Sequence, residues 1–250
     1  MSVSEASGFY SGTSNIVVPI RQADYPPGYQ GASRLTYYAS QFNSLEVNAT
    51  FYKLPRPATI GSWAESVPEV FRFSFKVPKC ITHEKGFQFD VKEVARFADT
   101  IAPVASKKRG ALLVQLPPSV TRDKQEELEG LLECLADDAP GWPIAVEFRH
   151  RSWYEQAIYR VLQHKNVALV QQDIAVSATP PSAPVTPFVY LRYHGPDGGY
   201  RGSYSDEFLQ NEATRIRRWR NDGLAVYAYF NNTLGAALQN LQTLNRMLRD

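Results

Sequence analysis

The sequence predicts an α/β protein that folds as a single (β/α)8 TIM barrel. Eight short β-rich runs alternate with amphipathic helical stretches from one end of the chain to the other. This is the pattern of parallel strands joined by crossover helices. No linker-like gap or change of composition interrupts the alternation. An open doubly wound sheet ranks second, because its G-x-G-x-x-G signature is absent after the first run.

The composition fits one globular domain. The chain has 250 residues, of which 44% are hydrophobic and 21% charged, and α/β barrels often reach this length as one unit. We expect a short polar N-terminal tail over residues 1–7 and a single TIM-barrel domain over residues 8–250. The net charge of +2 demands neither nucleic acid nor an anionic membrane as a partner.

Cysteine usage and hydropathy predict a cytoplasmic protein. Cys80 and Cys134 are far apart and match no zinc-ligand spacing, so reduced thiols are the simplest interpretation. The polar amino terminus argues against a secretory signal. No apolar run approaches the roughly 18 residues of a membrane span. The oligomeric state is left open.

The predicted strands are rich in β-branched and aromatic residues, and they alternate with a two-residue period. They cover residues 9–13, 45–49, 71–77, 111–116, 145–150, 167–173, 188–194 and 225–231. Prolines close several of them, for example Pro55 and Pro117, because proline cannot donate to a strand ladder.

Apolar residues at helical spacing fill the connecting segments. The predicted helices cover residues 34–42, 60–66, 91–101, 123–135, 153–164, 206–220 and 234–248. The segment after the sixth strand differs, because Pro180, Pro181, Pro184 and Pro187 are incompatible with a normal helix. We therefore expect the sixth helix to be degenerate or replaced by the proline-rich loop 180–187.

Strand parity predicts which side chains enter the barrel. Barrel enzymes place their chemistry at the carboxyl ends of the strands. If the more apolar parity faces the helices, the other parity points inward. The inward set is Glu46, Asn48, Ser74, Lys76, Leu113, Gln115, Ala145, Glu147, Arg149, Gln171, Asp173, Arg192, His194, Tyr229 and Asn231. Its polar members come late in their strands, which predicts a packed lower barrel and a functional upper mouth.

Several late-strand segments also resemble one family. They are LEVNATFY (45–52), FSFK (73–76), QLPP (115–118), VEFRH (146–150), RYHG (192–195) and YFNN (229–232). In this order they are similar to the domain-of-unknown-function 72 family of YecE-like TIM barrels over nearly the whole chain. The resemblance implies the barrel and no particular activity. Two segments depart from the family pattern: Gly12-Thr13-Ser14 continues into Asn15-Ile16, and Asn231-Asn232 continues into Thr233.

The inward cations predict an anion-binding site. They are Lys76, Arg149 and Arg192, with His83 and His194 nearby. Arginine fits carboxylate or phosphate groups with its planar fork. The glycine-rich loop 195–202 follows the seventh strand, where TIM barrels often hold a phosphate. In the alternative interpretation, Glu46, Glu147 and Asp173 neutralise these cations as a structural network.

Glu147 and Glu46 are the predicted general acid/base residues, and His194 is a lower-ranked proton shuttle. The other predicted substrate-binding residues are polar or aromatic side chains near the mouth. They are Asn48, Gln115, Tyr52, Asp173, Tyr200, Tyr229 and Asn231. Lys76 is predicted to bind phosphate, with a Schiff-base nucleophile as the alternative.

The leading hypothesis is a hydrolase or lyase-type enzyme that acts on a small phosphate-bearing or other anionic substrate. The alternatives are a nucleic-acid-binding or phosphodiester-processing protein and a non-catalytic protein that binds anionic ligands. No cofactor is predicted. A divalent metal is the lesser alternative, since the inward charges are mixed and no H-E-x-x-H pattern exists. The arginines of residues 215–220 are interpreted as a solvated helix face rather than a nucleic-acid stripe.

Overall fold

The computed structural model describes residues 8–183 and 187–249. The predicted tail over residues 1–7 and part of the proline-rich segment, residues 184–186, lie outside the described residues. Within the described ranges, strands alternate with helices, so the chain has an α/β fold. No helix in this part of the chain is both long and apolar enough to cross a membrane.

All eight predicted strand positions contain strands, and the sixth position contains two. The strands are Phe9–Thr13 (β1), Ser44–Val47 (β2), Arg72–Lys76 (β3), Arg109–Gln115 (β4), Ile144–Glu147 (β5), Ala168–Leu169 (β6), Gln171–Gln172 (β7), Val189–Tyr193 (β8) and Val226–Phe230 (β9). A single residue, Val170, separates β6 from β7. The prediction of one continuous sixth strand was therefore wrong.

The strands form two parallel sheets. One has the order β1-β9-β8-β7 and the other β2-β3-β4-β5-β6. The sheets approach each other at two places. A parallel bridge pairs Ser14 with Glu46 beside β1 and β2, and the chain itself passes through Val170 from β6 to β7. The carboxyl ends of parallel neighbours lie at the same edge, so late-strand residues of each sheet gather there.

The contact between β1 and β2 depends on a glycine and a buried tyrosine. A Cβ atom on Gly12 would lie 2.0 Å from the Ser44 carbonyl oxygen, so only glycine allows this approach. The Tyr38 hydroxyl accepts a hydrogen bond from the Thr13 N–H at 2.7 Å and donates to the Ser44 carbonyl at 3.2 Å. Tyr38 thus joins the two sheets beside the Ser14–Glu46 bridge.

The helices occupy the segments between the strands. They are Arg34–Ala39 (α1), Ala49–Tyr52 (α2), Pro57–Glu65 (α3), Lys79–Thr82 (α4), Val91–Ile101 (α5), Gln125–Asp138 (α6), Gln156–His164 (α7), Asp206–Asn221 (α8) and Ala237–Arg249 (α9). The short helices α2 and α4 were not predicted. The described residues between β7 and β8 contain no helix, as the prolines indicated.

Helix α5 shows how the sequence produces these elements. Its N-cap Asp90 accepts a hydrogen bond from the Lys92 N–H at 2.9 Å, which satisfies one of the free donors of the first turn. Val94, Phe97 and Ile101 are fully buried and lie on one stripe of the helix, so the helix packs this stripe against the strands.

The core has two parts. The larger part lies between strands and helices. The smaller part contains Leu113 and Ala145 from one sheet and Tyr190 and Tyr229 from the other. Since the inward side chains of both sheets meet in this second cluster, the two sheets face a shared interior.

The predicted inward orientation of Gln171 was wrong. Its Oε1 accepts a hydrogen bond from Arg215 on α8 at 2.6 Å, so the side chain faces the helices. Ala168 and Val170, of the opposite parity, lie in the interior cluster instead. The prediction assumed that the more apolar side of each strand faces the helices. Here small apolar residues fill the interior, so the more apolar side faces inward.

Candidate active site

The late-strand residues of both sheets meet around the Arg192 guanidinium. Its Nε and Nη2 donate to the two oxygens of Glu46 at 2.9 and 2.8 Å. Its Nη1 donates to Glu147 Oε2 at 2.6 Å. Arg192 comes from β8, Glu46 from β2 and Glu147 from β5. A single buried cation therefore connects strands of the two sheets.

Arg192 is only 1% exposed, and both carboxylates hold it. Four of its five donors bond Glu46, Glu147 and His194. The prediction that Arg192 clamps a substrate anion is corrected, because the guanidinium group is closed to solvent and bonded to two carboxylates. Burial alone would lower the pKa of Arg192, but the two carboxylates outweigh it and raise the pKa. The residue is a permanent positive charge inside a structural network.

Glu46 has no free acceptor position. Its Oε1 accepts from Ser14 Oγ at 2.6 Å and from Arg192. Its Oε2 accepts from the Tyr190 hydroxyl at 2.8 Å and from Arg192. A carboxylate offers about four lone-pair positions, so these four bonds use all of them.

The predicted acid/base role of Glu46 is therefore corrected. Burial acts to raise the pKa of this carboxyl, but Arg192 and the other donors together lower it. Glu46 is also 0% exposed. A group that stays ionised, fully bonded and closed to solvent cannot exchange a proton with a substrate.

Glu147 holds both arginines. Its Oε1 pairs with Arg149 Nε, and its Oε2 pairs with Arg192. Burial would raise the pKa of Glu147, but Arg149 and then Arg192 lower it well below its usual range. Its expected role as a general acid is therefore also corrected, because the carboxyl is ionised at neutral pH and its negative charge holds the two guanidinium groups in place.

His194 is neutral, and its tautomer follows from its neighbours. Its Nε2 lies 3.1 Å from Arg149 Nη2 and 3.2 Å from Arg192 Nη1. Guanidinium groups only donate, so Nε2 must be an acceptor and the proton sits on Nδ1. Nδ1 lies 3.1 Å from Asp173 Oδ1. Burial lowers the pKa of His194, which agrees with the neutral form.

This position does not suit the predicted proton shuttle. His194 is 0% exposed, and its acceptor nitrogen is engaged by two cations. Asp173 Oδ1 also accepts from the backbone N–H of His194 at 2.8 Å, and Asp173 Oδ2 accepts from the Tyr204 hydroxyl, so the acceptor of the ring proton is held in place. His194 orients the arginines rather than meeting a substrate.

Lys76 has a different environment from the arginines. It ends β3, and its Nζ lies 3.9 Å from the centre of the Phe51 ring. Among the described residues, no carboxylate lies within 4.0 Å of this ammonium group and no hydrogen-bond acceptor pairs with it. Burial lowers the pKa of Lys76 to about 8, with a further contribution from Arg192.

Arg149 keeps part of its hydrogen-bonding capacity. Its side chain is 11% exposed, and three of its donors point to Glu147, His194 and Tyr200. A guanidinium group has five N–H donors, so two remain. Arg149 is therefore the arginine of the network that can contact a ligand.

Tyr200 covers this side of the network. Its hydroxyl lies 3.3 Å from Arg149 Nη1, and its ring packs edge-on to His194 with centroids 5.6 Å apart. It is 38% exposed. The loop that carries it turns at Gly195, where φ is +100° and a Cβ atom would lie 2.1 Å from the Arg201 carbonyl oxygen. Glycine is required there to bring Tyr200 over the arginine.

His83 lies near Lys76, whose charge acts on its ring. The His83 ring packs edge-on to Phe51 at 4.9 Å, and Nδ1 pairs with Thr82 Oγ1 at 2.8 Å. Burial and then Lys76 lower the pKa of His83 to about 4, so the ring is neutral. Asn48 follows β2, and its buried Oδ1 has no hydrogen-bond partner in the described structure.

Four other predicted residues have different positions. Gln115 ends β4 level with Glu147, and its Nε2 donates to the Leu116 carbonyl. Asn231 is half-buried after β9, with its N–H bonded to the Tyr193 carbonyl at 2.7 Å. Tyr52 is 81% exposed, because the turn of α2 directs Phe51 inward and Tyr52 outward, and its role in substrate binding stays a prediction. The prediction for Tyr229 is corrected.

The Tyr229 side chain is inward but inaccessible. Its hydroxyl lies 2.6 Å from Ser44 Oγ and 2.9 Å from Ser74 Oγ, and the residue is 0% exposed. Strand parity gave its direction correctly but not the depth of its hydroxyl. Tyr229 therefore supports the floor of the site.

The sequence reasoning missed three residues that build the site. Ser14 and Tyr190 bond Glu46, and Phe51 lies against Lys76. Tyr190 has the same parity as Arg192 and His194, so the alternation of β8 already carried that signal. Ser14 lies one residue beyond the predicted first strand. Phe51 could not be found from parity, because it lies on a helical turn.

The donor set does not resemble a metal centre. Within residues 8–183 and 187–249, no group of three His, Cys, Asp or Glu side chains is arranged to hold a metal ion. The carboxylate oxygens of Glu46 and Glu147 already accept hydrogen bonds from arginine, serine or tyrosine donors.

Fold and site together define a parallel α/β protein with a buried ion-pair network at the carboxyl ends of its strands. The family described as "Protein of unknown function DUF72" matches residues 18–250. The chain belongs to this family, as its late-strand segments indicated.

Individual relatives agree with this assignment. UPF0759 protein YunF of Bacillus subtilis is 26% identical over 245 residues, covering 84% of each chain. UPF0759 protein YecE of Escherichia coli is 33% identical over 149 residues, which are 57% of this chain. The matched part spans 53% of YecE, or about half of that protein. Neither name states an activity.

A solved structure shows the same fold. The DUF72 family protein TM1631 of Thermotoga maritima superposes with a TM-score of 0.78 at 24% identity. The match covers 97% of this chain and 100% of that one. The described elements therefore correspond to an experimentally observed architecture.

Proposed function

We propose that this protein is an enzyme that binds a small phosphate- or carboxylate-bearing substrate at the carboxyl ends of its strands, with Lys76 and Arg149 as the anion-binding side chains. The carrying observation is the Lys76 ammonium group, a largely buried cation that lacks a carboxylate partner among the described residues. Burying a charge is costly unless an opposite charge compensates it. A substrate anion supplies that compensation.

Arg149 supports the proposal from the other side of the site. It retains two free donors and some exposure, whereas Arg192 is 1% exposed and uses four of its five donors on Glu46, Glu147 and His194. The network of Arg192 fixes the position of Glu147, and Glu147 in turn orients Arg149. This ion pair holds the guanidinium group of Arg149 in one orientation for ligand binding.

In this proposal Lys76, and not Glu46 or Glu147, is the side chain that accepts and donates a proton. Its pKa of about 8 lies near neutral pH, where a side chain can both accept and donate a proton. Glu46 and Glu147 stay ionised. The non-catalytic alternative differs by lacking a chemical step, so turnover of a bound anion separates the two.

The nucleic-acid alternative gains no support from helix α8. Arg215 pairs with Glu212 and donates to Gln171, and Arg217 bonds the Met247 carbonyl. These arginines serve contacts within the chain. A solvent-facing stripe that follows a phosphate backbone would keep its guanidinium groups free for that partner.

We further propose that the two sheets close into one barrel. Its two joints are the Ser14–Glu46 bridge and the step from β6 to β7 at Val170, so β6 and β7 together count as the sixth strand. On this proposal, residues 8–250 form a single domain. The exposed Cys80 and the partly exposed Cys134 are free thiols, which fits a reducing, cytoplasmic setting.

The test of anion binding is a titration of the wild-type protein with inorganic phosphate and sulfate, followed by isothermal calorimetry or NMR. We expect binding that weakens at least about tenfold in Lys76→Met, as expected for the loss of a charge-assisted contact. Lys92→Met is the matched control, because Lys92 is an exposed lysine of α5. Equal binding by wild type and Lys76→Met would refute the proposal.

A further inference from the structure

Lys108 and Lys76 both have limited exposure, but they differ in what holds their ammonium groups. Lys108 donates to the Ala64 carbonyl at 2.6 Å and to the Val67 carbonyl at 2.7 Å, so its ammonium group is held by the backbone. The Lys76 Nζ lies 3.9 Å from the centre of the Phe51 ring and forms no hydrogen bond or ion pair with another described residue. Lys108 is therefore a structural lysine, whereas the described residues give Lys76 no structural partner that requires its charge.

The burial of Lys76 favours a neutral amine. Burial lowers its pKa most and Arg192 lowers it further, while Glu147 and Glu46 oppose the fall, and the pKa is about 8. The Phe51 ring, 3.9 Å from Nζ, covers the group on one side. An amine that is partly unprotonated near neutral pH is a nucleophile toward carbonyl carbon. His83, which is close enough for Lys76 to influence its charge, is also neutral.

We propose that Lys76 is a covalent nucleophile that forms an imine with a small carbonyl compound carrying a carboxylate or phosphate group. This inference rests on the proposed function, because Arg149 holds the anionic group while the carbonyl carbon faces Lys76. It names the substrate class of that site: an anionic aldehyde or ketone rather than any anion.

The chemical step is a condensation. The lone pair of Nζ attacks the carbonyl carbon, a C–N bond forms, and the carbonyl oxygen becomes a hydroxyl group. This carbinolamine loses the hydroxyl group with a proton as water, which leaves a C=N bond. The proton that completes the water is the one released from the nitrogen, so atoms and charge balance within the step.

The test is reductive trapping. The wild-type protein is incubated with pyruvate or dihydroxyacetone phosphate and then treated with sodium borohydride, which delivers hydride to the imine carbon. Peptide mass spectrometry then locates the resulting secondary amine. We expect an adduct on Lys76 that forms at least about tenfold faster than any adduct on Lys92, because an ordinary lysine is almost fully protonated at neutral pH. The two probes show whether the site takes a carboxylate or a phosphate.

Two controls define the result. Acetone has the carbonyl group without the anion, so we expect it to label Lys76 much more slowly than pyruvate does. Lys76→Met must lose the adduct, and Lys92→Met must keep it. Labelling spread evenly over surface lysines, or none on Lys76, overturns the inference.

The same samples separate this inference from the proposed function. Phosphate binding that depends on Lys76, without any imine adduct, overturns the covalent step and leaves the anion site in place. Absence of both overturns both. An adduct whose formation is suppressed by inorganic phosphate supports both, because the two ligands then compete for one site.

Discussion

Replacing Lys76 by methionine is expected to stabilise the protein at neutral pH while it removes anion binding. The ammonium group lies in a place where it has lost water and gained no carboxylate partner among the described residues. Such a group costs folding free energy. Methionine has a similar length, can pack against Phe51 and carries no charge.

The size of the effect follows from the pKa of Lys76. Its fall from 10.5 to about 8 corresponds to roughly 3 kcal/mol of disfavour for the charged form. The variant loses the cation–π contact with Phe51, which contributes about 0.5–1 kcal/mol. A sulfur–aromatic contact restores about 0.3–1.5 kcal/mol. We therefore expect a net gain of about 2–4 kcal/mol in the free energy of unfolding.

The pH dependence gives the sign of the effect. Between about pH 8 and 10.5, the unfolded wild type binds more protons at Lys76 than the folded protein does, so its stability rises with pH. Below about pH 8, Lys76 is protonated in both the folded and the unfolded state. The free-energy cost of burying its charge is then fully present and does not change with pH. The advantage of Lys76→Met should therefore be full at pH 7 and vanish as the pH rises through this window.

The assay is urea unfolding of wild type, Lys76→Met and Lys92→Met at pH 7 and pH 10. Lys92→Met should match wild type within about 0.5 kcal/mol at both pH values, as is usual for surface substitutions. A Lys76→Met variant that is less stable than wild type at pH 7 would refute the reasoning. It would mean that the lysine serves the fold rather than a ligand.

Two further substitutions test the scaffold. Arg192→Leu should lower the free energy of unfolding by about 3–5 kcal/mol, because it leaves the buried Glu46 and Glu147 without their shared cation. Urea unfolding measures this loss, and an unchanged unfolding curve would show that the network does not stabilise the fold. Gly12→Ala should cost about 1–3 kcal/mol or more through the clash with the Ser44 carbonyl. Gly130→Ala on α6 is the control, because a Cβ atom there meets nothing within 4 Å, and it should stabilise the protein slightly. Equal changes in the free energy of unfolding for the two glycine substitutions would contradict the tight approach of β1 to β2.

Strand parity predicted much of the fold and the direction of most site residues. The two-residue period placed Glu46, Glu147 and Arg192 on inward faces, and they do meet. Periodicity worked because each strand has a clear apolar side. It failed at Gln171, where the interior is lined by Ala168 and Val170 and no polar residue marks the inward face.

The chemistry of the site was less predictable than its position. The sequence shows that cations and anions share a face, but it does not show which of them pair. Arg192 and Arg149 looked equivalent, yet Arg192 is 1% exposed, whereas the Arg149 side chain is 11% exposed and two of its donors carry no bond among the described residues. The neutral state of His194 depends first on its burial and then on two guanidinium groups that reach it from different positions in the chain, and this information is absent from local sequence.

The short helix α2 explains why Phe51, and not the predicted Tyr52, lies beside Lys76. The predicted second strand continued to residue 49, whereas the chain turns into α2 at Ala49. On a helix, neighbouring residues point in different directions. Phe51 therefore turns toward Lys76 and His83, while Tyr52 faces solvent.

The most direct test of the central claim is a crystal structure of the protein grown with phosphate in excess. We expect the anion at the carboxyl ends of the strands, in contact with Lys76 Nζ and a free N–H of Arg149, while Arg192 keeps its bonds to Glu46 and Glu147. A phosphate bound only elsewhere, with Lys76 still without an anion, would contradict the account.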